Sequence, residues 1–218
     1  MTAATAPNLT TLQSVLSQPR LETYEAAMGG LAEPAVQLYT WNAQVSSALM
    51  FPLHFAEVAA RNAVADALED VYGPRWPWEQ AFERSLPNPG YGFSPRRELR
   101  RVRQAEPTAG KVVAELKFVF WQKMFTQRFD GRLWNKRILG LFPNAGTSDK
   151  QALRTRIHDD LDTIRALRNR LAHHEPIFSR SLAPELNQTL DLLELRSTQL
   201  AAWVRAHEKV SALLAVKP

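Results

Sequence analysis

Two adjacent histidines stand near the C-terminus of this chain, in the stretch IRALRNRLAHHEPIF from 164 to 178. Arg168 and Asn169 precede His173 and His174 by about one helical turn. A histidine can transfer protons near neutral pH, and an arginine can clamp a phosphate. In RNA cleavage the 2′-hydroxyl is the nucleophile, so these residue types would suffice without a protein nucleophile or a metal.

The helix that would position these residues is predicted over 149–173. Its apolar stripe recurs at three- and four-residue steps and consists of Leu153, Ile157, Leu161, Ile164, Leu167 and Leu171. Asn169 and His173 are four apart and share the opposite face, flanked by Arg165 and Arg168. Pro176 disfavours helical geometry at the preceding residue, so the helix is expected to end near His173 or His174. The negative end of the helix dipole would then stabilise an imidazolium.

Two simpler interpretations of this cluster remain open at this point. Arg-x-x-x-x-His alone has about 0.5 chance matches in a chain of this composition, and basic residues are ordinary at a solvated helix end. A metal site built on His173, His174 and Glu175 is disfavoured, because adjacent helical residues point in different directions. The remaining histidines, at 54, 158 and 207, show no ligand-like spacing. No metal and no cofactor is therefore expected.

The segment LRNRLAHHEPIF resembles the signature of the HEPN nuclease superfamily, and most closely its Abi-like (abortive-infection) branch. That signature is an arginine, often followed by a polar residue, with a histidine four to six residues further on. Arg168, Asn169 and His173 match it. The branch commonly adds a second histidine, a glutamate and a proline, which are matched by His174, Glu175 and Pro176.

Two earlier blocks extend the resemblance over residues 35–180. Residues 39–68 carry the Trp-Asn and Glu-x-x-x-Arg-Asn patterns of the family's N-terminal block, the latter at Glu57, Arg61 and Asn62. Residues 110–134 resemble its central block, with Val119 where the family often has glycine. We expect that departure to concern helix packing and not the site.

The resemblance implies a helical bundle that forms a homodimer with a composite active site. It implies metal-independent endoribonuclease activity that leaves a cyclic phosphate, used in phage defence or as a toxin.

His173 would be the general acid/base, Arg168 the phosphate-stabilising cation and Asn169 the orienting residue. His174 is the second candidate for proton transfer, and Arg170 is a candidate RNA contact. RNA would be the substrate, and a cognate antitoxin or noncoding RNA a candidate partner. The alternative is a non-catalytic HEPN module that binds RNA or regulates a neighbouring protein.

Helical periodicity dominates the rest of the chain and predicts an all-α fold. Helices are predicted near 9–18, 20–28, 33–50, 52–72, 95–104, 109–128 and 183–214, in addition to 149–173, with a short one near 130–138. Residues 1–34 are expected to form an N-terminal helical extension. Residues 35–214 would be the Abi-like HEPN domain, with a loop-rich break near 87–95.

Two further polar groups each have a structural and a functional interpretation. Glu57 and Arg61, with Asn62, could form a structural salt bridge between helices, or could orient Arg168 or His173. Arg97, Arg100 and Arg101 share a helical face that could follow an RNA backbone, or could be a solvated charge run. The aromatic residues of 109–128, and Trp41, Trp76 and Trp78, are expected in the core or at a dimer interface.

Composition adds weaker constraints. The net charge is +5 and the pI about 9.7, and 20 of the 27 basic residues are arginine. This favours a polyanionic partner, although an Arg-rich codon bias would give the same excess. The chain has no cysteine, which fits a reducing cytoplasm. The N-terminal residues lack a secretory signal pattern, and no apolar run is long enough to span a membrane, so we expect a cytoplasmic protein.

Overall fold

A computed structural model describes residues 8–218, and within them the chain is all-α, with no strand. The helices are α1 (Leu9–Leu16), α2 (Gln18–Ala27), α3 (Ala32–Tyr72), α4 (Gln80–Ser85), α5 (Pro95–Ala105), α6 (Ala109–Glu115), α7 (Phe118–Met124), α8 (Asn135–Leu141), α9 (Lys150–Ala172), α10 (Leu182–Arg196), α11 (Thr198–His207) and α12 (Val210–Leu214). A 3₁₀ turn, Trp76–Trp78, precedes α4, and a π-helical turn, Asp130–Trp134, precedes α8.

The long helix α3 runs through the centre of the fold. It continues past Pro52, so the prediction of two helices meeting at this proline was wrong. Proline in a helix interior removes one backbone hydrogen bond and costs about 3 kcal/mol in an exposed helix. Here Pro52 is itself buried, and apolar residues on both sides of it pack into the core. That burial on both sides keeps the two segments in one helix.

The prediction of one continuous helix at 183–214 was also wrong, because three helices occupy that region. Ser197 adopts an extended conformation, and its hydroxyl accepts a hydrogen bond from the backbone N–H of Leu200, which starts α11. Glu208 caps the next start by accepting from the N–H groups of Val210 and Ser211. Side chains that cap new helix starts in this way divide the segment into separate helices, although its apolar pattern continues.

The predicted helix at 109–128 is interrupted in a similar way. Leu116 and Lys117 are extended and separate α6 from α7. Phe118, Phe120 and Trp121 are all buried, and together they cover more than one face of a helix. The change of direction at the break lets α7 bury them while α6 buries Val112. The short helix expected near 130–138 corresponds to the π-helical turn and α8.

Helix α9 follows the prediction closely, since its bounds differ from 149–173 by one residue at each end. The Asp149 side chain caps its start by accepting from the N–H groups of Gln151 and Ala152. All six residues of the predicted apolar stripe are buried. The opposite, polar face is therefore turned away from the core.

The buried side chains form one hydrophobic cluster that draws on both sides of the 87–95 segment. It includes Tyr24 of α2, so the predicted N-terminal extension packs on the same core; residues 1–7 of that extension lie outside the described part of the chain. The aromatic residues at 118, 120, 121 and 125, with Trp41 and Trp76, are buried as expected, and Trp78 packs against the cluster. Among residues 8–218, no helix is both long and apolar enough to cross a membrane.

Candidate functional site

Helix α9 ends in a Schellman motif that contains both histidines. His173 is the C-cap residue, and His174 follows in the left-handed conformation with φ of 54°. The N–H of His174 donates to the carbonyl of Leu171, and the N–H of Glu175 donates to the carbonyl of Arg170. These are the two bonds that define the motif, in which glycine usually occupies the left-handed position. Both histidine side chains are exposed at this helix end.

The segment after the histidines is anchored to helices at the start of the chain. The buried Asn42 side chain of α3 accepts a hydrogen bond from the N–H of Ile177 at 2.8 Å. Arg20 of α2 donates to the carbonyl of His174 at 2.8 Å. These contacts fix the backbone of the loop and hence the positions from which the imidazoles extend.

Arg170 also holds this loop. Its guanidinium forms an ion pair with Glu175 at 3.1 Å and donates to the carbonyl of Pro176 at 3.0 Å. Arg170 is thus engaged within the loop that follows its own helix. An RNA contact through this side chain would have to share the guanidinium with these two acceptors.

Arg168 meets the residues that resembled the family's N-terminal block. Its Nε lies 3.7 Å from the Glu57 carboxylate of α3, and its side chain is 40% exposed. No ion pair joins Glu57 to Arg61 in residues 8–218, although their spacing favours one; Glu57 pairs with α9 instead. Arg61 is half-buried, and its Nε is sealed from solvent with no hydrogen-bond partner in the same residues. Asn62 is exposed on α3.

Three cavities lie along α3 and α9, and neighbouring cavities share lining residues. The first, of about 510 Å³, is lined by residues of α1, α2 and α3 together with Leu171 and His174. It shares Met50 with the second, of about 190 Å³, which His54, Glu57, Arg61 and Arg168 also line. Glu57 and Arg168 line the third as well, a cavity of about 620 Å³. We call these three adjoining cavities together the α3–α9 groove.

Asn169 and Arg165 line the third cavity beside Arg168. Arg165 donates to the buried Gln122 of α7 at 2.8 Å and to Asp162 at 2.7 Å, and Gln122 donates to the same carboxylate. The hydrogen bond from Arg165 is the main reason that the pKa of Asp162 lies below its ordinary value. This network connects the central block of the sequence to the polar face of α9.

The three arginines predicted on α5 lie outside the α3–α9 groove. Arg101 pairs with Glu98, and Arg97 donates to the carbonyl of Gly92. Arg100 pairs with Glu83, which Arg103 also contacts. Burial acts to raise the pKa of Glu83, but hydrogen bonds from these two arginines outweigh it and hold the pKa below the ordinary value. Part of the positive charge of this face is therefore compensated by buried carboxylates.

No group of three or more His, Asp or Glu side chains in residues 8–218 is arranged to hold a metal ion. Several residues of the groove and of its supporting hydrogen-bond network were not predicted from the sequence. Asn42 belongs to the Trp-Asn pair that contributed to the resemblance, so a signal for it existed. His54 carried only the signal of its residue type, and Arg20, Tyr24 and Gln122 carried none.

No family profile, curated protein or solved structure matches this chain.

Proposed function

We propose that this chain is a metal-independent endoribonuclease of the Abi-like branch of the HEPN superfamily, acting in phage defence or as a toxin. The observation that carries the proposal is the ion pair between Arg168 and Glu57. It joins two of the three sequence blocks that resemble the family, and the helix that carries Arg168 ends at two exposed histidines. An arginine at the polar side of α9 is thus oriented without being fully neutralised.

The proposed reaction needs two proton transfers and stabilisation of charge on the phosphate. A base takes the proton of the 2′-hydroxyl, the 2′-oxygen attacks phosphorus, and the bond from phosphorus to the 5′-oxygen breaks. An acid gives that oxygen a proton, which leaves a 2′,3′-cyclic phosphate and a 5′-hydroxyl. His173 takes one of these roles, and His174 is the second candidate. Arg168 stabilises the charge that grows on the phosphate oxygens. Asn169, the next residue in the chain, orients the phosphate.

The local electrostatics support these roles. At 3.7 Å, the carboxylate of Glu57 is a loose partner, so the guanidinium of Arg168 keeps hydrogen-bond donors for a phosphate. Arg61 adds a second positive charge in the cavity that Arg168 lines. A phosphodiester in this part of the groove would meet two cations and one carboxylate.

We further propose that RNA contacts concentrate in the α3–α9 groove, because the carboxylates beside Arg100 and Arg101 compensate part of the charge on α5. A homodimer would bring two such grooves together into a composite site. A cognate antitoxin or a noncoding RNA would restrain the activity.

The test compares wild type, His173→Ala and His158→Ala on total bacterial RNA in excess EDTA. His158 is a matched control, because it lies on α9 and pairs with Asp159, well away from the helix end. Wild type and the control should give discrete fragments with cyclic phosphate ends, and His173→Ala should give none. Thermal melting establishes that all three proteins are folded.

Full cleavage by a folded His173→Ala variant would contradict the proposed role. RNA binding by all three proteins with no cleavage by any of them, in buffer or in phage-infected lysate, would favour the alternative, a non-catalytic RNA-binding module.

A further inference from the structure

The first cavity of the groove lies between α2, α3 and the histidine loop, and we call it the tyrosine pocket. Tyr24 and Tyr39 line it on one side, and Asn42 and His174 line it as well. Leu16, Met50 and Leu171 supply apolar surface. A volume of about 510 Å³ with apolar walls and a few converging polar groups is typical of a site for a small ring system.

Tyr24 is the unusual residue of this pocket. Its ring packs between Tyr39 and Phe178, with ring centroids 5.1 Å apart in both pairs, and the residue is only 1% exposed. Among residues 8–218 its hydroxyl has no hydrogen-bond partner, and the residue lines the cavity. Burial, with a smaller contribution from Tyr39, raises the pKa of Tyr24 to about 12, so at neutral pH the hydroxyl keeps its proton.

Two neighbouring side chains present further hydrogen-bond donors. Asn42 uses its side-chain oxygen to accept from Ile177, which leaves its NH₂ group as the free end. Arg20 uses one terminal nitrogen for the carbonyl of His174 and retains others. The polar part of the pocket is therefore rich in donors, and it favours a ligand whose edge carries acceptors.

The pocket lies next to the proposed phosphate site. It shares Met50 with the cavity of Arg168 and Arg61, and His174 follows the proposed acid/base directly in sequence. At about 1.5 Å of rise per residue, the part of α3 from Asn42 to Glu57 covers roughly 22 Å. That length accommodates a few nucleotides of a single strand.

We propose that the tyrosine pocket binds one keto base, uracil or guanine, of a single-stranded RNA whose backbone continues along α3 to a phosphate at Arg168, and that the Tyr24 hydroxyl donates to a carbonyl oxygen of that base. Uracil and guanine present carbonyl acceptors where cytosine and adenine present an amino donor. This assignment rests on the proposed nuclease function, and it makes Tyr24 a determinant of cleavage specificity.

The first experiment measures binding without any reaction. Nucleoside 5′-monophosphates have no phosphodiester to cleave, so UMP, GMP, CMP and AMP are titrated into the full chain by two-dimensional amide NMR. UMP or GMP should bind about fivefold more tightly than CMP and AMP, the effect of one neutral hydrogen bond, and Tyr24→Phe should abolish the difference. Tyr72→Phe is the matched control, because Tyr72 packs against Phe82, outside the pocket.

Equal binding of the four nucleotides to wild type would overturn the assignment. So would a preference that survives in Tyr24→Phe, or one that is lost equally in Tyr72→Phe.

The second experiment maps the ends of RNA fragments from wild type, Tyr24→Phe and Tyr72→Phe. A keto base shared at one fixed position within a few nucleotides of the cut in wild type and Tyr72→Phe, and a broadened pattern in Tyr24→Phe, would support the assignment. Unchanged fragment ends in Tyr24→Phe would overturn it and leave the nuclease function standing. Selective nucleotide binding through Tyr24 in a protein that cuts no RNA would support the pocket and refute the nuclease function.

Discussion

His174 holds a backbone conformation that costs free energy for any residue with a side chain. Its φ of 54° places it in the left-handed region, where glycine is usual at the end of a helix. Histidine is among the residue types that adopt this region more often than most, but it still carries strain. Arg20 and the two Schellman hydrogen bonds hold the position. His174 lines the tyrosine pocket, so the strain coincides with a candidate functional residue.

Replacing His174 with glycine should therefore stabilise the fold while reducing RNA cleavage. The relief of strain is worth about 0.5–1 kcal/mol, partly offset by the flexibility of glycine in the unfolded chain. The midpoint of thermal unfolding should rise by roughly 2 °C.

His173→Gly is the matched control, because His173 has a negative φ of −94° and gains nothing from glycine. That variant should be less stable than wild type. A lower melting temperature for His174→Gly than for wild type would refute the strain argument.

At the scale of elements, the site depends on contacts that α3 makes with α9 and with the loop that follows α9. Helix α3 supplies Glu57 for Arg168 and Asn42 for the backbone of Ile177. Helix α9 supplies the arginine and ends at the histidines. The Asn42 contact is the more informative, because it is buried and satisfies a loop N–H that has no helical partner.

Asn42→Ala should lower the free energy of unfolding by about 1–3 kcal/mol, because it leaves the N–H of Ile177 buried without an acceptor. It should also reduce cleavage by loosening the loop that carries the histidines. Urea denaturation measures the first effect and RNA cleavage the second. Asn187→Ala, at an exposed position of α10, is the control. It should change the free energy of unfolding by no more than about 0.5 kcal/mol, and the cleavage rate by no more than the factor that corresponds to that energy. Equal stability of the two variants would contradict the anchoring role.

The sequence predicts elements well where one periodic stripe and one cap define them. Helix α9 is such a case, with six buried stripe residues and Asp149 at its start. Prediction fails where tertiary burial overrides a local signal, as at Pro52, or where a capping side chain interrupts an apolar run, as at Ser197. For the site, the sequence predicts Arg168 and Asn169 on α9 and the two histidines at its end, and their functional roles stay predictions. The partners of that motif came partly from the resemblance, and Tyr24 could not be predicted, because its importance comes from what surrounds it.

At the scale of the whole molecule, the groove is assembled from several separate regions of the sequence, including Phe93 and residues 114–119, which line its third cavity. Helix α2 contributes Arg20 and Tyr24, α3 contributes one long wall, and α9 contributes the cations and the histidine loop. The predicted N-terminal extension is thus part of the groove wall. A second copy of the chain would complete the composite site at this groove, as proposed.

A composite site predicts complementation between inactive variants. Arg168→Ala and His173→Ala should each lose cleavage, and a mixture that has been unfolded and refolded together should regain part of it. Mixed dimers would contain one cleft with an intact arginine from one copy and an intact histidine from the other. Light scattering should show a dimer in every sample. A monomer with full activity, or a mixture with no recovery, would contradict the shared site.

The contacts that hold the histidine loop join residues far apart in the chain. Arg20 and His174 are 154 positions apart, and Asn42 and Ile177 are 135 apart. During synthesis the N-terminal helices leave the ribosome first, and they cannot make these contacts until the segment through Ile177 has followed. A nascent chain therefore carries the walls of the groove without the histidines at its end. For an enzyme proposed to attack RNA, this order of assembly postpones cleavage until the segment through Ile177 has been synthesised.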